Sequence, residues 1–376
     1  MVLHRHLQTA RDRFAVEFLS PPVARFSSWG ACRRVAGWVA KWGHARLAEE
    51  VHARIDGRWA DRWLASALNG RKNSVVMTVA HGDLAYAADR AARGAGLPLV
   101  VIFHDWWPDI PPLGQAARQR EQNHFLRLHR NATASLPVSE GMRSALGSHP
   151  AARVLYPIPS VDDAANALPR GANDRPFRVL YAGNVSEYGP MVATALQESL
   201  CNPGIRFEVS GSDPKWSSTF RDAMRAGGLW LDFLPRPKLE EWFRSADAFL
   251  VPLVFDPAFR RRMETSFPSK LTEFSRYGRP LVIWGPEYGS AVRWARETEE
   301  AICVTSPRPA DLMKELDRLA GDNSLREEMG HRARRAYETR FHPKLLQRVF
   351  EESVLAAVGP SGGKDAMDDT PRSRVS

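Results

Sequence analysis

The sequence predicts an α/β protein made of two doubly wound domains that face each other across a cleft. With 376 residues, 44% of them hydrophobic, the chain is long enough for two domains of roughly 100–200 residues each. Short apolar runs alternate with helix-length segments, which is typical of parallel sheets covered by helices. The alternation stops once, in a Pro-, Ala- and Asp-rich stretch, and then restarts. We therefore predict a first domain at 1–160, a linker at 161–175, a second domain at 176–358 and a disordered tail at 359–376.

The first domain is expected to contain several parallel strands after its N-terminal region. Each candidate strand is a short apolar run bounded by glycine, proline or polar residues. Ser139 stands where the N-cap of a helix at 140–146 should be. The predicted strands are residues 74–79, 97–103, 134–139 and 153–157, and the helices between the first three are residues 84–93 and 115–130.

The second domain repeats the alternation from a fresh first strand. Ligands of open parallel sheets bind beyond the carboxyl ends of the strands, so the informative residues are those that follow each apolar run. The predicted strands are residues 177–182, 205–210, 229–233, 248–252, 280–284 and 301–304, and a helical region follows at 309–357.

Composition excludes several classes of protein. The three cysteines, Cys32, Cys201 and Cys303, are far apart and have no metal-ligand spacing, so neither a disulfide framework nor a zinc site is expected. No stretch approaches the roughly 18 consecutive apolar residues of a membrane-spanning helix. The N-terminus lacks the apolar core of a secretory signal, which indicates a cytoplasmic protein.

The positive charge is concentrated in the first half of the chain. Residues 1–172 hold 22 Lys and Arg against 14 Asp and Glu, whereas residues 173–376 hold 30 against 29. In the segment 33–47, Trp38 and Trp42 share one face of a predicted helix and basic residues lie opposite. This pattern suits an anionic membrane surface at the inner face of the membrane. The alternative for the helix is that it packs its Trp stripe on the sheet. The alternative for the charge is that the protein merely has a basic soluble surface.

The segment around residues 266–274 has the character of an anion site. Lys270 lies at the start of a predicted helix, where backbone N–H groups and a lysine would together attract a diphosphate. Glu273 lies one turn further, where a carboxylate could accept hydrogen bonds from ribose hydroxyls. A simple capped helix, in which Glu273 only favours the helix dipole, explains the same residues.

A family resemblance makes this segment more specific. Residues 266–282, Ser-Phe-Pro-Ser-Lys-Leu-Thr-Glu-Phe-Ser-Arg-Tyr-Gly-Arg-Pro-Leu-Val, resemble the donor-site segment of family-4 glycosyltransferases of the GT-B fold, in which two Rossmann-like domains face a cleft. Further landmarks of that family resemble residues 181–184, 239–252, 103–105 and 137–142, in the family's order.

The resemblance implies retaining transfer of a sugar from a UDP- or GDP-sugar to a glycan or lipid-linked acceptor, as in polysaccharide biosynthesis, with no cofactor or metal. His104 would act on the donor sugar as the catalytic residue. The residues implied for donor binding are Gly183, Asn184, Ser266, Phe267, Ser269, Lys270 and Glu273. Arg260, Arg261 and Arg262 would assist the diphosphate unless they form a solvated charge run. His81, Asp83 and Asp105 are expected on the acceptor side.

Three departures from the family pattern leave other functions open. The position eight residues before Glu273, commonly glutamate in the family, is Thr265, and residues 185–189 hold no basic side chain. The N-terminal domain is also expected to lack the family's opening strand and Gly-rich loop, either because the sequence is truncated at its start or because the domain is a reduced version. A non-catalytic nucleotide-sugar-binding protein and a nucleotide-sugar epimerase are therefore the alternatives. Nucleic-acid binding is disfavoured because the basic residues are scattered and no stacking aromatic motif accompanies them.

Overall fold

A computed structural model describes residues 17, 60–110, 113–159, 175–183, 185–211 and 215–359. The chain divides into two compact units, one formed by Met1–Leu155 with Gln347–Ser376 and the other by Tyr156–Leu346. Each unit contains a parallel sheet with helices between its strands, which confirms the predicted α/β fold class.

The described sheet of the first unit has three parallel strands in the order β1-β2-β3. All five residues of β2 are buried, as the unbroken apolar run predicts for a strand with parallel neighbours. The Ser139 hydroxyl accepts a hydrogen bond from the backbone N–H of Met142, so the predicted N-cap is confirmed. The strands are β1 (Val76–Val79), β2 (Leu99–Phe103) and β3 (Ala134–Pro137); the helices are α1 (Gly82–Gly94), α2 (Gln115–Asn131) and α3 (Glu140–Leu146), and residues 60–68 are also helical.

The strand predicted at 153–157 is wrong, because only one bridge, between Ser135 and Ala152, forms beside β3. The segment does run along β3, since the N–H of Arg153 donates to Ser135 and that of Leu155 donates to Pro137. The next bond of a parallel ladder would need an N–H from Pro137. Proline has none, so the ladder stops after one bridge.

The sheet of the second unit has six parallel strands in the order β6-β5-β4-β7-β8-β9. This order runs outward from β4 in one direction and then restarts on its other side at β7, which defines a doubly wound sheet. The strands are β4 (Phe177–Gly183), β5 (Ile205–Gly211), β6 (Trp230–Leu231), β7 (Ala248–Pro252), β8 (Leu281–Trp284) and β9 (Ile302–Val304).

The core of the second unit forms where amphipathic helices cover this sheet. Val192 and Leu196 of α4, and Leu312 and Leu316 of α10, are fully buried against strand residues such as Val209. In each helix the two residues are four positions apart, which places them on one helix face. The helices are α4 (Val185–Leu200), α5 (Ser218–Ala226), α6 (Arg236–Arg244), α7 (Arg260–Thr265), α8 (Ser269–Phe274), α9 (Ser290–Thr298), α10 (Pro309–Gly321), α11 (Asn323–Ala336) and α12 (Pro343–Val358).

The last helix, α12, begins in the second unit and continues in the first, which it joins at Gln347. In the first unit Glu352 forms an ion pair with Arg153 at 2.9 Å. The apolar pattern of 309–357 predicts helices, but periodicity does not say which domain a helix packs on. The sequence-based assignment of 347–358 to the second domain therefore differs from the grouping of the folded chain.

Candidate functional site

The sheet of the second unit has a topological switch point between β4 and β7. These strands are neighbours in the sheet but lie far apart in sequence, because β5 and β6 extend the sheet on the other side of β4. In doubly wound sheets a crevice opens at this point, beyond the carboxyl ends of the two strands. Here those ends are Gly183 and Pro252, so the site of the second unit is sought around them.

Gly183 brings a lysine from the donor-like segment to this switch point. A Cβ on Gly183 would lie 3.4 Å from Cε of Lys270 and 3.0 Å from the Tyr181 hydroxyl oxygen. A Cβ on Gly211, the residue opposite in β5, would lie 2.1 Å from the carbonyl oxygen of Gly183. The two glycines let these strand ends approach each other closely. The side chain of Lys270 lies beside the end of β4, where its positive charge suits a phosphate.

The position of Lys270 follows from how the chain enters α8. After α7 ends, Ser266 is extended, and its carbonyl accepts a hydrogen bond from the Ser290 hydroxyl. Phe267 is 5% exposed and packs against Tyr156, with 4.7 Å between ring centroids. The side chain of Phe267 therefore belongs to the core and anchors the segment. Beyond Pro268, α8 begins at the exposed Ser269, directly before Lys270.

Glu273 lies one turn along α8 and is held by a buried arginine. Nη2 of Arg276 lies 3.2 Å from Oε1 of Glu273, and the Arg276 side chain is 1% exposed. Arg276 also contacts Glu240 of α6 and the hydroxyl of Tyr277. Burial disfavours the charge of Arg276, but Glu273, Tyr277 and Glu240 outweigh it and raise the pKa of the guanidinium above its ordinary value.

Neither Arg276, the partner of Glu273, nor Glu240, the partner of Arg276, was predicted as a site residue from the sequence. The spacing of Glu273 and Arg276, three residues apart in a helical segment, was a usable signal for their contact. No sequence pattern indicates Glu240, because it comes from a different helix.

The arginine run before the donor segment is partly neutralised. Arg260 is exposed and donates from Nε to Glu264 at 2.8 Å, and Arg261 lies 3.7 Å from the same carboxylate. The guanidinium of Arg260 also covers the ring of Tyr288, at 4.6 Å from its centroid. Arg262 is half-buried. Glu264 thus shares its charge with two of the three arginines, a pairing that the sequence-based view of the run did not include.

Thr265, which occupies the family's first glutamate position, is fully buried. Its hydroxyl donates to the carbonyl of Arg261 at 2.8 Å within α7. The hydrogen-bonding capacity of the Thr265 hydroxyl is therefore used within its own helix.

In the first unit, His81 and Trp107 meet after the carboxyl ends of β1 and β2. Their rings stack with centroids 4.8 Å apart and planes inclined by 23°. Gly82 has a φ of +65°, a backbone conformation that favours glycine, and it lies against the Trp107 ring. Desolvation lowers the pKa of His81 below its ordinary value. The nearby Asp105 carboxylate opposes this shift but does not cancel it.

The predicted catalytic residue, His104, and the other two predicted acceptor-side residues, Asp83 and Asp105, also belong to the first unit. His104 and Asp105 directly follow β2 and are half-buried. Asp83 lies in the first turn of α1. The loop after β2 thus supplies His104, Asp105 and Trp107; Trp107 was not predicted as a site residue.

Three residues singled out in the sequence lie outside the described part of the chain: Asn184, Trp38 and Trp42. The predicted amphipathic helix at 33–47 lies there as well. Within the described ranges, no helix combines the length and apolar character that crossing a bilayer needs.

Several solved structures are similar to the chain. A glycosyltransferase from Rickettsia africae matches with a TM-score of 0.58 and 11% identity over 96% of this chain and 89% of that one. HepE of Anabaena, solved in complex with UDP, matches with a TM-score of 0.56 and 13% identity over 80% and 82%. The UDP-forming α,α-trehalose-phosphate synthase of Burkholderia vietnamiensis gives 0.55 and 14% over 83% and 80%.

TarM is also similar, with a TM-score of 0.54 and 9% identity over 79% of this chain, which spans 58% of TarM's length. No family model matches the sequence, and no curated protein matches it either. At these identities the likeness concerns the fold. Together with the parallel α/β units and the switch point in the second sheet, it shows that this chain has the GT-B fold.

Proposed function

We propose that this protein is a glycosyltransferase that moves a sugar from a nucleoside-diphosphate sugar to an acceptor. The observation that carries the proposal is the position of Lys270 beside Gly183, at the switch point of the second unit. A doubly wound sheet binds nucleotides at this place, and a lysine there supplies positive charge for the phosphates.

The proposed chemistry depends on stabilising a departing nucleoside diphosphate. Lys270 neutralises the negative charge that develops on the diphosphate, while Gly183 and Asn184 allow the phosphates to approach the backbone. Glu273 accepts hydrogen bonds from the ribose hydroxyls. The exposed Ser269 donates from its backbone or hydroxyl. By resemblance to family 4, the proposed transfer is independent of a metal ion and retains the anomeric configuration.

The donor nucleotide proposed first is UDP. HepE was solved with UDP, and the trehalose-phosphate synthase forms UDP, so the same nucleotide is the natural first probe for this chain. GDP is the second probe.

The acceptor side is proposed to lie in the first unit. His104 acts on the donor sugar as the catalytic residue, and His81, Asp83 and Asp105 contact the acceptor. The acceptor is a glycan or a lipid-linked sugar, and the basic first half of the chain binds the anionic inner face of a membrane. Flotation with liposomes containing anionic lipid tests the last point. A Trp38→Ser/Trp42→Ser double variant should float less, and equal flotation with neutral liposomes would refute it.

Nucleotide binding tests the donor site directly. Lys270→Ala and Glu273→Ala should each weaken UDP or GDP binding about tenfold to a hundredfold, because each removes a hydrogen bond that involves a charge, worth about 1.5–3 kcal/mol. Lys314→Ala is the matched control, since Lys314 is an exposed lysine on α10 of the same unit. Isothermal titration calorimetry gives the Kd values. Unchanged affinity in both site variants would refute the donor-site assignment.

A non-catalytic nucleotide-sugar-binding protein is the second candidate. The burial of Thr265 favours it, because the position that is commonly glutamate in the family presents no side chain to a donor sugar. The transferase and the binding protein differ in whether they slowly hydrolyse a UDP-sugar or GDP-sugar. Hydrolysis is measured as the release of free nucleotide in the presence of EDTA. Turnover that is lost in His104→Ala supports the transferase, whereas binding without turnover supports the second candidate. An isomerised donor would indicate the epimerase.

A further inference from the structure

Arg276 is the most deeply buried cation next to the proposed donor site. Its side chain is 1% exposed, yet Glu273, three residues earlier, is only 13% exposed and lies 3.2 Å from it. A buried guanidinium costs several kcal/mol of desolvation unless carboxylates and hydrogen bonds compensate it. The folded chain therefore compensates the buried charge of Arg276 with the carboxylates of Glu273 and Glu240.

The guanidinium of Arg276 is fixed from α6. Nη2 of Arg276 contacts Oε1 of Glu240 and donates to the Tyr277 hydroxyl at 2.6 Å. That hydroxyl in turn donates to Oε2 of Glu240 at 2.6 Å. The Tyr277 ring packs against Phe243 of α6, with 5.5 Å between centroids. Nη2 of Arg276 is thus fixed by one carboxylate and one phenol, and the same nitrogen contacts Glu273.

A glutamate side chain ordinarily samples many rotamers, and fixing it costs free energy when a ligand binds. The ion pair with Arg276 restricts those rotamers before any ligand arrives. A carboxylate has about four lone-pair positions, so one ion pair does not exhaust its capacity to accept hydrogen bonds. A held carboxylate therefore binds a diol more tightly than a mobile one.

We infer that Arg276, anchored by Glu240 and Tyr277, is a positioning residue that orients Glu273 and thereby gives this protein its preference for nucleotides with intact ribose hydroxyls. This inference rests on the proposed function, since it assigns Glu273 to the ribose.

The test compares each ribonucleotide with its sugar-deoxygenated analogue. Kd values are measured for UDP and 2′,3′-dideoxy-UDP, and for GDP and 2′,3′-dideoxy-GDP, on the full-length protein. The ratio within a pair isolates the ribose hydroxyls, because base and diphosphate contacts are common to both members. Wild type should prefer the ribose form at least tenfold. Arg276→Met should reduce the preference to less than threefold, with diphosphate contacts unaffected.

A matched control separates positioning from general stability. Arg178→Met also removes an arginine from an ion pair with a buried carboxylate, Glu208, but Arg178 lies at the opposite end of β4 from Gly183. It should keep the wild-type preference. If Arg276→Met does not fold, Glu240→Gln replaces it in the test. This variant weakens the anchor of the Arg276 guanidinium but leaves Arg276 and its charge in place. It should reduce the preference at least threefold.

A double variant tests whether Arg276 acts through Glu273. Glu273→Ala should abolish the preference, and Arg276→Met added to it should change the ratio no further. If Glu273→Ala keeps the full preference, or if wild type binds neither nucleotide, the donor-site assignment fails and the inference fails with it. If Glu273→Ala loses the preference while folded Arg276→Met and Glu240→Gln keep it, the positioning role alone is refuted.

Discussion

Two glycines at the ends of β4 and β5 have different neighbours, and the difference predicts different roles. Around Gly183 the nearest atoms are the ends of two side chains, the hydroxyl of Tyr181 and Cε of Lys270. Around Gly211 the nearest atom is a backbone oxygen of Gly183. Side-chain ends can move aside, whereas a strand backbone moves only with the sheet.

We therefore expect Gly183→Ala to fold with little loss of stability and to weaken UDP or GDP binding several-fold, because the new methyl group presses on the Tyr181 hydroxyl and fills the space beside Lys270. Gly211→Ala should instead destabilise the second unit by about 1–3 kcal/mol, since its Cβ overlaps the Gly183 carbonyl. Urea unfolding and calorimetric nucleotide titration measure the two effects. Equal stabilities for the two variants would contradict this reading of the contacts.

At the residue scale, the sequence predicts candidate site residues but not the side chains that contact them. Lys270 and Glu273 were predicted from their place at the start of a helix and from the family resemblance, and the structure shows Lys270 beside Gly183, a strand end far away in sequence. Phe267 was assigned to donor binding, yet its ring lies in the core. Glu240 could not be found, because its contact with Arg276 depends on how α6 packs.

At the scale of elements, a buried ionic network joins β4, β5 and α6. Glu208 of β5 is 2% exposed and accepts hydrogen bonds from Arg178 of β4 at 2.8 and 2.6 Å. Arg206 donates to it at 2.7 Å and Nε1 of Trp242, on α6, at 2.8 Å. Burial works to raise the pKa of Glu208, but the hydrogen bonds from Arg178, Trp242 and Arg206 prevail and lower it.

Removing this carboxylate should strongly destabilise the second unit. Glu208→Ala breaks a buried ion pair and removes one acceptor each from Arg178, Arg206 and the Trp242 indole N–H, which should cost roughly 3–5 kcal/mol. Because the pKa of Glu208 is lowered by folding, its stabilisation is present above about pH 4.3 and is lost as the pH falls through the folded pKa. Chemical denaturation from pH 7 to pH 3 measures both effects.

The exposed pair of Glu287 and Arg296 provides the comparison. Their carboxylate and guanidinium lie 2.8 Å apart with side chains 67% and 50% exposed. Glu287→Ala should leave stability almost unchanged, because solvent screens such pairs. A similar loss in Glu287→Ala and Glu208→Ala would show that burial does not decide the strength of these contacts.

The elements themselves were largely predictable, and the exceptions have physical causes. Apolar runs between glycines and prolines predicted β4, β5, β7 and β8, since buried parallel strands need such runs. The run at 153–157 looks alike, but its partner strand ends in Pro137, which lacks the N–H for a second bridge. The membership of α12 in two units depends on tertiary packing, which a local pattern does not record.

At the scale of the whole molecule, the two units should respond differently to mild acid. In the first unit His129 is fully buried, and its Nε2 lies 3.3 Å from the carbonyl of Gly147. A carbonyl only accepts, so Nε2 carries the proton and Nδ1 accepts from the Ser135 hydroxyl at 2.8 Å. Burial and the charges of His149 and Arg130, opposed by the Gly147 hydrogen bond, lower the pKa of His129 to about 4.

This difference predicts selective loosening of the first unit between pH 7 and pH 5. His129 stays neutral in the folded chain but takes up a proton near pH 6.5 when unfolded, so stability falls as the pH drops from about 6.5 towards 4. The loss by pH 5 should be about 2 kcal/mol. Hydrogen exchange read by mass spectrometry and corrected for the slower intrinsic exchange at pH 5 should show lower protection factors in peptides from β2 and β3, whereas peptides from β5 keep their protection because Glu208 remains charged. His129→Gln should flatten the response of the first unit, and an equal response in wild type and variant would assign the acid sensitivity to another group.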